Sequence, residues 1–279
     1  MNGMQPWLQL IEKASLHIVQ HDLHRRSELQ QRNRVLPFYV VSYIKEGSCR
    51  LRLGGRDYQA KQGDVLFVPP NALHDHVKDS AEETVFLWWH FTLNIAGCMD
   101  ALQLFHFPPV FRLPDPERFE RAFLEYRRCA EQPASLADSL MKGAKALELI
   151  AILIDAALRQ PDVRLKAVYA DAFTSMLNEL LDMPVSRVDL ADLGERYHMH
   201  PTYISNQFKK IFGITPMQLQ LQLRLQKAKQ LLETEKRPIG EVAKLIGYED
   251  TDDFSRFFKS KTGISPLRYR NESKNWPSL

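Results

Sequence analysis

His74 and His76 stand two residues apart in a chain of 279 residues. On a strand, side chains at i and i+2 share a face, so two imidazoles could turn toward zinc, iron or manganese. Two nitrogens rarely hold a metal without further ligands, and satisfied turn or pocket histidines are the alternative. A second set of chemically active side chains lies far downstream. Thr202, Tyr203, Ser205, Asn206, Gln207, Lys209 and Lys210 fall on the outer side of a helical period whose inner side is Ile204, Phe208 and Ile211. Threonine can touch a thymine methyl, Asn and Gln can bond adenine bidentately, and lysine favours phosphate. Thr251, Asp252, Ser255, Arg256 and Lys259 repeat that outward placement. The planar fork of Arg256 matches the O6/N7 edge of guanine, a contact worth about 1–3 kcal/mol of base discrimination. No Gly-x-Ser-x-Gly elbow, phosphate-cradling glycine loop or Cys–His arrangement occurs, so nucleophilic catalysis finds no foothold.

The two downstream sets sit on an internal repeat. Phe208-Lys209-Lys210-Ile211-Phe212-Gly213-Ile214-Thr215-Pro216 returns 50 positions later as Phe258-Lys259-Ser260-Lys261-Thr262-Gly263-Ile264-Ser265-Pro266. Each copy follows an apolar helix and a short turn, so the chain carries two helix-turn-helix units. In the first, Asp189 is placed to cap a helix running to Tyr197, with Asp192 in a capping-box-like position. Leu190, Leu193 and Tyr197 supply its buried face. His198-Met199 makes the turn, and Pro201 suits the first turn of the next helix. In the second, Ile239 to Ile246 is the supporting helix, Gly247 turns the chain, and Asp250 caps Thr251 to Lys261. Phe254, Phe257 and Phe258 anchor that helix. A helix from Met217 to Glu233 joins the copies.

These residues resemble the DNA-binding domain of the AraC/XylS family of bacterial transcription regulators over Leu193 to Arg270. The match lies in Gly247-Tyr248-Glu249-Asp250, Phe254-Ser255-Arg256, Phe258-Lys259, Gly263-Ile264-Ser265-Pro266 and Tyr269-Arg270, with Arg224, Ala228 and Leu231-Leu232-Glu233 on the connecting helix. The resemblance implies two readers set to enter successive major grooves, roughly 34 Å apart. It puts Thr202, Ser205 and Asn206 on base-facing sites of the first, and Thr251, Asp252, Ser255 and Arg256 on those of the second. The chain departs from the family at three places. Gly194 replaces alanine, a change expected to cost up to ~1 kcal/mol of helix stability. His200 replaces a serine cap. Asp252 and Asp253 replace neutral residues, and carboxylates near phosphates are repulsive.

Upstream the period is that of strands. Phe38 to Ile44, Ser48 to Leu53, Arg56 to Ala60, Val65 to Val68 and Thr84 to Leu93 are short β-rich runs, broken at Gly47, Gly54-Gly55, Gly63-Asp64 and Pro69-Pro70. They read as a small barrel or sandwich. Gly63 to His74 resembles the second motif of cupin barrels, the usual sensor domain of the family. A metal-binding cupin would add a second His-x-His and a Glu after Gly47, where this chain has Arg50, Leu51 and Arg52, so no metal and no cofactor is expected. Along the aromatic strand, Phe86, Trp88 and His90 alternate with Leu87, Trp89 and Phe91, and one set must face inward. The resemblance favours the Phe86 face as pocket-lining, with His76 and Glu46 near the mouth. A sugar or other small polar ligand would stack on such rings and bond His, Arg or Glu.

From Pro116 helices take over. Glu117 to Ala130 is amphipathic, and Leu136 to Arg159 carries a stripe of Leu140, Ala144, Leu147, Ile150, Ala151, Ile154 and Leu158, which could pack on the barrel or pair two subunits. The expected fold is therefore α+β: a cupin-like barrel over 1–115, a helical dimerisation region over 116–160, a linker over 161–165, and an all-α domain with both helix-turn-helix units over 166–279. Charge follows this division. Residues 185–279 hold 16 Lys and Arg against 11 Asp and Glu, while the rest is slightly acidic, within an overall +3. That asymmetry suits a polyanion-binding domain joined to something else. Cys49, Cys98 and Cys129 are widely spaced and are expected as reduced thiols. No apolar run approaches the ~20 residues of a membrane span, and Met1 to Gln20 lacks a signal-peptide layout, so a cytoplasmic protein is expected. The function implied is not enzymatic. It is that of a dimeric regulator of promoter DNA, responsive to a small molecule with a carbohydrate favoured, and working with RNA polymerase. The alternatives are a metal-dependent cupin enzyme with a helical appendage, or a regulator whose barrel only dimerises.

Overall fold

The computed structural model describes residues 10–78, 83–97, 99–105, 107–131, 135–160, 170–185, 189–234 and 236–273. The segment 161–165 and Cys98 lie outside them. The strands are β1 (Ala14–Arg26), β2 (Gln30–Arg34), β3 (Tyr39–Glu46), β4 (Ser48–Leu53), β5 (Arg56–Lys61), β6 (Asp64–Val68), β7 (His74–Val77), β8 (Thr84–Ile95), β9 (Met99–Asp100) and β10 (Val110–Arg112). The helices are α1 (Pro116–Glu131), α2 (Leu136–Leu158), α3 (Ala170–Asp182), α4 (Leu190–Tyr197), α5 (Pro201–Phe212), α6 (Pro216–Thr234), α7 (Ile239–Leu245), α8 (Thr251–Thr262) and α9 (Pro266–Ser273). Two compact units result, one of Leu16–Leu93 with Phe105–Leu165, the other of Met1–Ser15, Asn94–Leu104 and Lys166–Leu279.

The first unit is a two-sheet barrel. One sheet runs β1-β8-β3-β6-β10 and the other runs β2-β7-β4-β5. The register sets which side chains face inward. Val40, Ser42 and Ile44 of β3 lie opposite His90, Trp88 and Phe86 of β8. Val40 and Ile44 join Leu51, Leu66, Val68 and Phe86 in the interior cluster. The odd-numbered neighbours go to the other face. There Tyr43 and Trp89 meet Phe119 of α1, with ring centroids 5.2 and 6.1 Å apart. β3 is thus buried on both faces and reads as a continuous apolar run. The Tyr43 hydroxyl donates to Glu120 at 2.8 Å, and Lys45 pairs with the same carboxylate at 2.5 Å.

Ser135 opens α2 with a reciprocal capping box to Asp138. The helix buries Ala146, Leu149, Ile150, Leu153, Ala156 and Ala157, leaving most of the expected stripe outside: Leu140 is 68% exposed and Leu147 55%. Cys49 and Cys129 are buried, and burial pushes the Cys49 thiol up to about 12.

In the helical unit, Phe254 and Phe258 of α8 sink against Val242, Ala243 and Ile246 and against Ala228, Leu231 and Leu232 of α6. Full burial of a phenylalanine contributes about 1.5–3 kcal/mol, so these two side chains do much to hold α8 in place. Thr215 and Gln218 cap α6 reciprocally, at 3.0 and 3.2 Å. No helix among the described residues is long and apolar enough to cross a membrane.

Candidate nucleic-acid interface and barrel cavity

The first reader is built on two side-chain caps. Asp189 accepts from Ala191 N–H at 2.8 Å and starts α4. It does so directly, where the sequence suggested a box with Asp192. At the far end His198 is left-handed, with φ 53°, and Met199 N–H bonds Gly194 O at 3.0 Å. This tight return explains Gly194. A Cβ there would lie 2.8 Å from Met199 O, closer than packing tolerates, so the expected penalty of glycine against alanine is overturned at this position. His200 then caps α5, its Nδ1 accepting from Thr202 N–H at 3.2 Å, with Pro201 following. Ile204 and Phe208 are fully buried and fix the helix rotation. Thr202, Tyr203, Asn206, Lys209 and Lys210 are exposed on α5, and Ser205 is half-buried beside them.

The second reader repeats the plan with different residues. Asp250 accepts from Asp252 N–H at 2.6 Å and Asp253 N–H at 3.0 Å, and those bonds hold its carboxyl below the usual range. Phe257 is half-buried and stacks on Tyr248 at 5.3 Å. Thr251, Asp252, Arg256 and Lys259 are exposed on α8, and Ser255 is half-buried. Arg256 departs from expectation. Its guanidinium is hydrogen-bonded to Asp253, one turn back on the same helix, in an exposed pair that a guanine contact would have to exchange. The i,i+3 spacing brings the two together, a consequence of the acidic pair that the family pattern lacks. Both readers are twelve residues long and end on a left-handed glycine, Gly213 with φ 78° and Gly263 with φ 80°.

Inside the barrel is a cavity of about 350 Å³ lined by Phe86, Trp88 and His90 of β8, Ser42 of β3, and residues of β1, β2 and the turn between them. Trp88 is held in place. Its Nε1–H donates to His24 Nδ1 at 3.0 Å, and His24 Nε2 lies 3.3 Å from Asp22. His90 stacks on Phe38 at 4.9 Å. His74 and His76 also face inward, opposite Leu53 and Leu51 of β4, with rings 5.4 Å apart. His74 Nδ1 contacts Ala72 O at 2.9 Å, but His74 Nε2, His76 Nε2 and His90 Nδ1 are buried without a protein partner. Burial, then the charges of neighbouring His74 and Arg34, pushes His76 down to about 3. Burial and Arg34 push His90 down to about 4. Burial lowers His74 as well, so the neutral form is favoured in all three rings near pH 7. Among the described residues no group of three or more His, Cys, Asp or Glu is arranged to hold a metal ion.

Comparison with known proteins gives both halves a family. The helix-turn-helix domain family matches residues 193–272, and the AraC-like ligand binding domain family matches residues 22–150. The chain belongs to the AraC family of transcription regulators.

Three AraC-family relatives align along most of it. The MmsAB operon regulatory protein of Pseudomonas aeruginosa is 24% identical over 94% of this chain and 87% of its own. The arabinose operon regulatory protein of Escherichia coli is 24% identical over 83% of this chain and 80% of its own. The uncharacterized HTH-type transcriptional regulator YisR of Bacillus subtilis is 25% identical over 85% of this chain and 87% of its own.

Within the AraC-like ligand binding domain, the cavity brings together Phe86, Trp88 and His90 but not the other two residues read from the sequence. Glu46 is exposed at the end of β3 and does not line the cavity. His76 is buried beside His74 and outside the lining. Conversely, Gln20 and His24 of β1, Gln31 and Arg34 of β2, and Ser42 line it unannounced. The signal in β1 was slight. Ala14, Leu16 and Ile18 alternate with Ser15, His17 and Val19, but the strand then turns polar at Gln20, His21 and Asp22.

Proposed function

We propose that this AraC-family regulator binds double-stranded promoter DNA with α5 and α8 in successive major grooves, as a homodimer paired through α2, under control of a small polar effector in the barrel cavity. The observation that carries the proposal is the duplicated reader: two twelve-residue helices, each side-chain capped, each with an apolar inner and a polar outer face. Thr202, Ser205 and Asn206 are assigned to bases in the first groove, with Tyr203 beside them and Lys209 and Lys210 on phosphates. Thr251, Asp252, Ser255 and Arg256 are assigned to the second groove, with Lys259 on phosphate. Asp253 must release Arg256 for that contact. Phe86, Trp88 and His90 are assigned to the effector, and a carbohydrate would stack on Trp88. RNA polymerase is the partner through which promoter binding would change transcription, and the cytoplasm is where both would meet the protein. This reading takes the barrel as a sensor rather than an enzyme.

Footprinting on the DNA upstream of its own gene and of neighbouring operons tests the proposal. Two protected major grooves about ten base pairs apart are expected, with affinity falling steeply as salt rises, because each phosphate contact releases counterions. A single protected groove, or binding indifferent to salt, would refute the two-reader arrangement.

A further inference from the structure

The charge inside the barrel is unbalanced. Arg25, Arg52, Arg112 and Arg127 each meet a carboxylate, at distances between 2.6 and 3.3 Å. Arg34, on β2, lines the cavity and is half-buried. Its side-chain hydrogen bond goes to the Gln31 amide oxygen, and among the described residues no carboxylate pairs with it. Burial alone pulls its guanidinium below the ordinary arginine value, with no neighbouring acid to offset the effect. Removing a cation from water without a counter-charge is costly. The one carboxylate in the lining is Glu28, exposed at the rim with Arg26, a second cation. His90 Nδ1, in the lining, and His76 Nε2, outside it, are buried nitrogens without a protein partner, and both rings feel the charge of Arg34.

We infer that the barrel cavity takes a small organic carboxylate, its acid group seated on the Arg34 fork and its body laid against Trp88 and Phe86. The inference rests on reading the barrel as the effector site and names the class of effector. A neutral polyol would satisfy the His90 nitrogen, the one of the two rings that lines the cavity, and leave Arg34 uncompensated. A carboxylate does both. Its two oxygens match the guanidinium as parallel, charge-assisted hydrogen bonds, and a neutral histidine can donate a third. Trp88, fixed through His24, offers a flat wall for the apolar or hydroxylated remainder. A cavity of about 350 Å³ sits at the small end of ligand pockets, which favours a compact acid over a long acyl chain.

The test uses matched pairs on the full-length protein. Glucuronate against glucose, gluconate against glucitol, and benzoate against benzyl alcohol are compared by thermal shift and calorimetry, with chloride and phosphate as inorganic controls. At least one acid should stabilise the protein while its neutral partner does not. Arg34→Gln should weaken that acid roughly tenfold or more without lowering the ligand-free Tm, since an unpaired half-buried charge is removed. Should the glutamine variant fold poorly, Arg34→Lys keeps the charge, loses the fork, and should bind at intermediate strength. Binding by no acid, a neutral partner that binds as tightly as its acid, or an acid indifferent to Arg34→Gln would overturn the carboxylate. If a neutral sugar binds and Trp88→Ala abolishes it, the effector cavity stands and only the charge assignment falls. If every shift survives Trp88→Ala, the cavity itself is not the effector site.

Discussion

His76 and His90 are titratable rings buried in the barrel, and the effect of burial on them has a sign. In the folded barrel their pKa values lie near 3 and 4, against 6.5 in an unfolded chain. Between pH 6.5 and about 4 the unfolded chain therefore binds protons that the folded barrel refuses. Stability must fall as pH falls through that window, by up to ~1.4 kcal/mol per pH unit for each ring. Urea midpoints at pH 7, 6 and 5 should decline, and His90→Gln should flatten the decline by about one proton. An unchanged slope in that variant would mean that the ring titrates normally. Arg256 teaches a different lesson at this scale. Its fork was legible as a guanine reader, but a side chain's partner is set by what lies one helical turn away, and Asp253 takes the guanidinium.

Caps and turns act at the scale of the element, and here the two readers solve one problem differently. His200 and Asp250 both accept from the second residue of their helix, at 3.2 and 2.6 Å, so the serine expected at position 200 is replaced in function as well as in place. Gly194 shows the opposite case, in which a propensity argument fails. Alanine normally stabilises a helix interior, yet the return of Met199 leaves no room for a Cβ. Gly194→Ala should therefore destabilise the α4–α5 unit, by about 1–3 kcal/mol as for overpacking elsewhere. It should also weaken DNA binding when chemical denaturation and gel shift are measured together. A variant more stable than the parent would show that the turn relaxes. β1 carries only a weak strand pattern in its sequence. A strand with one face over a polar cavity and the other near solvent has little hydrophobic alternation, and hydrophobic alternation is the signal that sequence reading detects.

On the scale of the whole molecule, the stripe on α2 has consequences for assembly. Leu136, Leu140, Leu147 and Leu158 remain between 42 and 80% exposed, and exposed apolar rows of this kind mark contact surfaces. Leu140→Glu with Leu147→Glu should leave the barrel folded and turn the proposed dimer into a monomer in sedimentation equilibrium. Loss of the dimer should also reduce the steepness of the salt dependence, because fewer phosphates are neutralised per binding event. A double variant that stays dimeric would remove α2 from the interface.

The amino-acid order by itself specified the two reading heads, their spacing in the chain, their caps and their polar faces, because a helix-turn-helix is written in contacts between residues a few positions apart. It also marked the aromatic strand, whose Phe86 side only the family resemblance favoured as the inner one. The cavity and the solitary charge of Arg34 came only with tertiary structure. They arise where β1, β2, β3 and β8, distant in the chain, are brought side by side, and whether a charge has a partner depends on neighbours that folding alone supplies.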